Sequence, residues 1–155
     1  MVQLAQSFPA QRYFALRFLA ENGGLQTSKD AVLAEARHDL LAVVLARQAK
    51  TGEARRTMPR APLAIAITLH LDEWETDTVT SDLSAGGCAL RLYNAPPSQF
   101  RFTLRLGDDV RVRGWARVVA SGYRDDLHLA CISFVGLTGS DRQKVEDLVL
   151  EACAC

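Results

Sequence analysis

The stretch IAITLHL, residues 65–71, sets apolar Ile65, Ile67, Leu69 and Leu71 against Ala66, Thr68 and His70, an alternation with a period of two. Successive side chains of an extended chain point to opposite faces, so the pattern reads as a strand with one face toward a core. The alternation returns at Val110, Val112, Gly114, Ala116 and Val118. Shorter candidates run over 76–81, 88–93, 102–106 and 127–135, parted by Gly, Pro, Asn and Asp clusters that favour turns. Six short strands in an open sheet would expose two edges to aggregation, so the sequence predicts a closed, six-stranded antiparallel β-barrel in a mostly β chain with flanking helices.

Upstream of the strands the period changes to that of a helix. Phe8, Tyr13, Phe14, Leu16, Phe18 and Leu19 mark a first helix, and Gly23 and Gly24 break it. Thr27, Ser28, Lys29 and Asp30 have the form of a capping box for a second, in which Val32, Leu33, Ala36, Leu40, Val43 and Val44 share one face. A last helix is expected to start on Ser140 or Asp141, with a stripe of Val145, Leu148 and Val149 placed to plug one mouth of the barrel. Two domains follow: residues 1–50 as an N-terminal helical extension, and 51–155 as the barrel with a preceding linker and a closing helix. The stripes Phe14, Phe18, Val32, Leu40 and Val44 are too large to stay uncovered, so the extension packs either on the barrel or on a second chain in a homo-oligomer.

The chain has 155 residues, 48% hydrophobic and 23% charged, which is enough for one compact core with an appendage and too few for two large domains. Eighteen Lys and Arg balance eighteen Asp and Glu, so no overall field draws the chain to nucleic acid or to an anionic membrane. Aromatics at 7% also argue against a stacking platform for RNA. The longest apolar run, around Leu40 to Leu45, is far shorter than the roughly 20 residues of a membrane-spanning helix, and Met1 to Ala10 lack the order of a secretion signal. Cys88, Cys131, Cys153 and Cys155 are too irregularly spaced for a disulfide framework or a zinc site and are read as reduced thiols of a cytoplasmic protein. His38, His70 and His128 have no cysteine or acid at ligand spacing, so no metal or other cofactor is expected. No nucleophile with a base partner and no phosphate loop is present, which argues against an enzyme.

Two clusters carry the functional signal. Arg47, Lys50, Arg55, Arg56 and Arg60 face the single acid Glu53 in a stretch that Pro59 and Pro62 keep irregular, and Asp82, Leu83, Ser84, Ala85, Gly86, Gly87 follow between two strand candidates. Arg56 and Arg60 match RxxxR, while Asp82, Ser84 and Gly87 match (D/N)xSxxG. In order and separation these resemble the PilZ family, and the resemblance extends more loosely from Arg55 to the end of the chain. Gly114 to Val119 looks like a later barrel strand of that family, and Cys131 to Phe134 like its closing strand, with Cys131 where the family usually has Gly. Residues 1–50 lie outside the resemblance.

The resemblance implies a bacterial second-messenger receptor whose ligand is cyclic di-GMP, with Arg55, Arg56, Arg60, Asp82, Ser84, Gly86 and Gly87 at its site. The residue types suit that ligand. An arginine fork matches guanine O6 and N7 edgewise, matches phosphate oxygens equally, and can stack on a purine. Asp82 accepts from the donors of the guanine Watson–Crick edge, Ser84 can donate, and Gly86 and Gly87 permit positive φ and close approach. An arginine at position 55 resembles the family's paired mode, with two cyclic di-GMP molecules per chain; the alternative is that it points into water. The receptor would fold its Arg-bearing linker over the barrel and act on a downstream protein that the sequence does not name, in a motility, biofilm or surface-polysaccharide process. Two rival readings remain: Asp-x-Ser-x-Gly-Gly as no more than a turn, and a ligand-independent interaction module of the same fold. Arg111, Arg113 and Arg117 are expected on a solvated outer face, with Trp115 beside them packed against a helix of the chain.

Overall fold

The computed structural model of the chain describes residues 8–23, 30–50 and 58–154. Two compact units result: residues 1–59 with 150–155, and residues 60–149.

In the first unit, α1 (Phe8–Glu21) and α2 (Asp30–Lys50) pair, and Gly23, with a φ of 72°, follows the end of α1. That left-handed conformation is open to glycine without a Cβ penalty. Ala10 and Tyr13 meet Ala36, Leu40 and Val44, whose spacing keeps them on one stripe of α2, and Leu150 completes this core. Of the apolar residues expected to be covered, Phe18 and Val32 are exposed, because they fall off these stripes. Arg12 bridges α1 to Glu35 and Asp39, which lie four residues apart on α2, at 3.6 and 3.3 Å. The expected cap residues Thr27 to Lys29 lie outside the described residues.

The second unit is the barrel. Its strands are β1 (Arg60–Ala61), β2 (Ala66–His70), β3 (Glu75–Ser84), β4 (Gly87–Leu92), β5 (Gln99–Arg105), β6 (Arg111–Arg124) and β7 (Leu127–Val135). The antiparallel order β3-β2-β5-β6-β7-β4 closes through a β3–β4 pairing, and β1 adds to β3 from outside. The six-stranded closure predicted by the alternation is therefore present, with one strand more. That strand is two residues long and lies between Pro59 and Pro62, positions where a missing N–H is tolerated at an edge.

Phase follows sequence closely. Ile67 and Leu69, Phe100, Phe102 and Leu104, Val112 and Ala116, and Ala130 and Ile132 are all buried, and Phe102 stacks on Phe134 with centroids 4.8 Å apart. The β6–β7 connection is a two-residue hairpin in which Asp125 and Asp126 both have positive φ, as a turn matching the strand twist requires.

The last helix, α3 (Gly139–Ala154), begins earlier than expected. Thr138 is its cap: its Oγ1 accepts from the Asp141 amide at 3.1 Å, and its carbonyl accepts from Arg142 N at 2.9 Å. Ser140 and Asp141 thus sit inside the first turn, where the Asp141 carboxylate favours the positive end of the helix dipole. Val145 and Val149 are fully buried within the barrel unit, whereas Leu150 belongs to the helical core. No helix among the described residues is long and apolar enough to cross a membrane.

Candidate functional site

The geometry around the two sequence clusters starts from the pairing of β1 with β3. The register sets Arg60 opposite Ser84 and Ala61 opposite Leu83, so one short edge strand brings the RxxxR arginine to the end of β3 that carries the second cluster. A bulge between Thr80 and Asp82 shifts the β3–β4 register just before the motif. Such an extra residue bends a strand and re-aims the side chains beyond it.

Asp82 then holds two donors with its two oxygens. Oδ2 accepts from Arg60 Nη1 at 3.2 Å, and Oδ1 accepts from the Ala89 backbone N–H at 3.1 Å. Both charged side chains keep about three-tenths of their surface, 29% for Arg60 and 28% for Asp82, so the pair is accessible from solvent. The guanidinium is thus positioned by a carboxylate that is itself pinned to the neighbouring strand.

Ser84 and Gly87 are opposed in the β3–β4 hairpin, with Ala85 and Gly86 as its turn. Ser84 is buried, and its hydroxyl accepts from Gly86 N at 3.2 Å while donating to Gly87 O at 3.3 Å. The Gly86 carbonyl accepts from Phe134 N at 2.8 Å, tying the turn to β7. Positive φ is not what Gly87 supplies; a Cβ there would lie 2.0 Å from the Ile132 carbonyl oxygen of the adjacent strand. The glycine is demanded by backbone crowding inside the barrel wall.

Arg60, Asp82, Ser84, Gly86 and Gly87 therefore converge on one end of the barrel, and Arg55 and Arg56 lie outside the described residues. Sequence reasoning had no means of finding the Ala89 amide, since a backbone donor leaves no trace in residue type. Cys88, beside this cluster, is fully buried; burial pushes its thiol up, the Asp82 carboxylate adds to the effect, and Arg60 opposes it. A thiol so held is a core residue and not a nucleophile. Among the described residues no group of three or more His, Cys, Asp or Glu could hold a metal ion.

The model of the PilZ domain matches residues 54–151. The chain belongs to the PilZ domain family. No curated protein matches the chain. Among solved structures, the Bacillus subtilis inhibitor of motility MotI/DgrA superposes with a TM-score of 0.57 at 19% identity, over 63% of this chain and 50% of that one. The PilZ domain of Escherichia coli YcgR, solved with c-di-GMP, gives 0.51 at 18% identity, over 63% of this chain and 91% of that domain. The Klebsiella pneumoniae MrkH–c-di-GMP complex gives 0.51 at 19%, over 63% and 51%. The chain thus spans about half the length of MotI and of MrkH, and the likeness is one of fold: the PilZ barrel is shared.

Trp115, on the outer face of this PilZ barrel, differs from its expected place. It remains 48% exposed, and its cover comes from the next strand, with the Arg101 guanidinium 5.0 Å from the ring centroid.

Proposed function

We propose that this PilZ chain is a receptor for cyclic di-GMP that acts by conformational change and performs no chemistry of its own. The observation that supports it best is the Arg60–Asp82 pair: one residue from each family motif, 3.2 Å apart, part-exposed and held at the same barrel end. The Arg60 fork can take guanine O6 and N7 or a phosphodiester. Asp82 has lone pairs beyond the two it spends on Arg60 and Ala89, since a carboxylate accepts about four hydrogen bonds, and these suit the guanine N1–H and N2–H donors. Ser84 contributes by fixing the hairpin that holds Asp82, a role its buried hydroxyl supports better than a direct contact. Arg56 joins the ligand on the strength of the motif, and Gly86 and Gly87 keep the hairpin tight.

A second guanine stacked beyond the first needs a partner for its own O6 and N7 edge or for the neighbouring phosphates, and Arg55, a third fork beside Arg56, is assigned to it. Equilibrium dialysis is expected to give two ligands per native chain and to move toward one in Arg55→Leu. One ligand per native chain would remove the paired mode, and none would remove the receptor reading.

The helical extension, residues 1–50, is the proposed output element, acting on a downstream protein in a motility-type or related surface process. Its removal would uncover Leu150 and Cys153, which pack with α1 and α2. Deleting residues 1–50 should therefore change the oligomeric state, read by light scattering as the number of chains per particle, or cost solubility, while ligand affinity is kept. A truncated chain that stays soluble with the same number of chains per particle as the native protein would contradict this assignment.

A further inference from the structure

The outer faces of β5 and β6 carry groups that the proposed cyclic di-GMP site does not use. Register pairs Gln99 with Arg117, Arg101 with Trp115, Thr103 with Arg113 and Arg105 with Arg111, so two adjacent rows place five arginines around one indole. Asp108 and Asp109 sit in the β5–β6 turn between Arg105 and Arg111, and Glu75 Oε1 accepts from His70 Nδ1 at 2.8 Å. Asp77 accepts from Thr68, and Asp72 lines the same cavity as His70, Gln99, Arg101 and Trp115, so phosphate positions on this face are placed toward Arg113 and Arg117 as well as Arg101. Among the described residues, no ion pair engages Arg101, Arg113 or Arg117.

Two cavities of about 560 and 350 Å³ adjoin on this face and share His70, Arg101 and Trp115. Each is within or near the range that takes a small ring system, roughly 300 to 1,000 Å³. Same-face residues of a strand recur about every 7 Å, so Arg113, Trp115 and Arg117 present cation, ring and cation in turn along β6. That order suits a nucleotide chain, which alternates phosphate, base and phosphate. An acidic peptide could meet the arginines, but its carboxylates would leave the exposed indole and both ring-sized cavities unused. Zero net charge and few aromatics argue against nucleic acid for the whole molecule; they do not describe this face.

The geometry points to a second binding site on this face for heteroaromatic bases carrying phosphate: a single-stranded oligonucleotide, bases against Trp115 and phosphates on Arg101, Arg113 and Arg117, with a free mononucleotide as the other source of the same chemistry. The site is independent of the cyclic di-GMP reading, and each can fail without the other. The test is anisotropy of labelled decathymidylate with the full chain over a range of salt, with thymidine monophosphate and decaglutamate as competitors. Binding is expected, with Trp115→Leu weakening it about tenfold. Arg113→Ala should reduce the slope of log affinity against log salt by about 0.7, a change that a merely structural role would not produce. Displacement by thymidine monophosphate at concentrations comparable with decathymidylate would identify the free nucleotide as the source. Absence of decathymidylate binding, an unchanged affinity in Trp115→Leu, or displacement by decaglutamate as effective as by unlabelled decathymidylate would overturn the proposal.

Discussion

Arg60→Ala is expected to weaken cyclic di-GMP binding roughly ten- to hundred-fold while the chain stays folded. The estimate follows from a charge-assisted hydrogen bond, worth about 1.5 to 3 kcal/mol, at about 1.4 kcal/mol per tenfold. Asp82 tolerates the loss, because it keeps the Ala89 amide and is open to water on its remaining side. The reverse substitution is less benign. Asp82→Ala removes the acceptor of both the Ala89 N–H and Arg60 Nη1, and a part-buried amide left without a partner costs about 1 to 3 kcal/mol of stability. Asp82→Ala should weaken ligand binding as Arg60→Ala does. Asp82→Asn separates the two roles: its carbonyl still accepts from Ala89, and because Asn also satisfies the motif at this position it should keep the native melting temperature and retain ligand binding. Native affinity in both Arg60→Ala and Asp82→Ala would remove this pair from the ligand site.

The second large effect falls on the fold itself. Gly87→Ala would set a Cβ 2.0 Å from the Ile132 carbonyl oxygen, a backbone atom that cannot swing aside, so the β4–β7 ladder must part where Gly87 pairs with Ser133. Overpacking of this kind costs about 3 kcal/mol or more. For a chain of this size that is a fall of about 6 to 12 °C in Tm, measured without any ligand. Gly122→Ala is the control: nothing lies within 4 Å of its Cβ and its φ is not left-handed, so its Tm should hold or rise slightly. A stable Gly87→Ala chain that had merely lost ligand would contradict the structural role and restore the close-approach role that the motif first implied.

These two residues also show where the sequence was legible and where it was not. A period of two reveals which side chains share a face, so Ile67, Leu69, Val112 and Ala116 could be placed inside the barrel, and Arg111, Arg113 and Arg117 outside it, before any fold was known. What periodicity lacks is the partner across the gap. β1 was hidden because two residues between prolines carry no period, and their strand character comes wholly from pairing with β3, over twenty residues away. The crowding at Gly87 needs the position of Ile132, and the stacking on Trp115 needs Arg101 opposite it; both are facts of register. Motif spacing bridged part of that gap for Arg60 and Asp82, since four residues to one side and one hairpin on the other fix two ends that only the β1–β3 ladder brings together. The start of α3 was misplaced for a smaller reason: Thr138, Ser140 and Asp141 are all good cap residues, and only backbone geometry selects among them.

The central claim, that the Arg60–Asp82 end of the barrel reads guanine in a cyclic dinucleotide, is tested most directly by calorimetric titration of the full chain with cyclic di-GMP, cyclic di-AMP and GTP in parallel. A bidentate arginine contact and a carboxylate on the guanine edge discriminate by about 1 to 3 kcal/mol per base. Cyclic di-GMP is expected to bind saturably and at least tenfold tighter than cyclic di-AMP, which lacks the guanine edge, and than GTP, which offers one guanine instead of two and no phosphodiester. No saturable heat with cyclic di-GMP, or equal affinity for cyclic di-AMP, would contradict it.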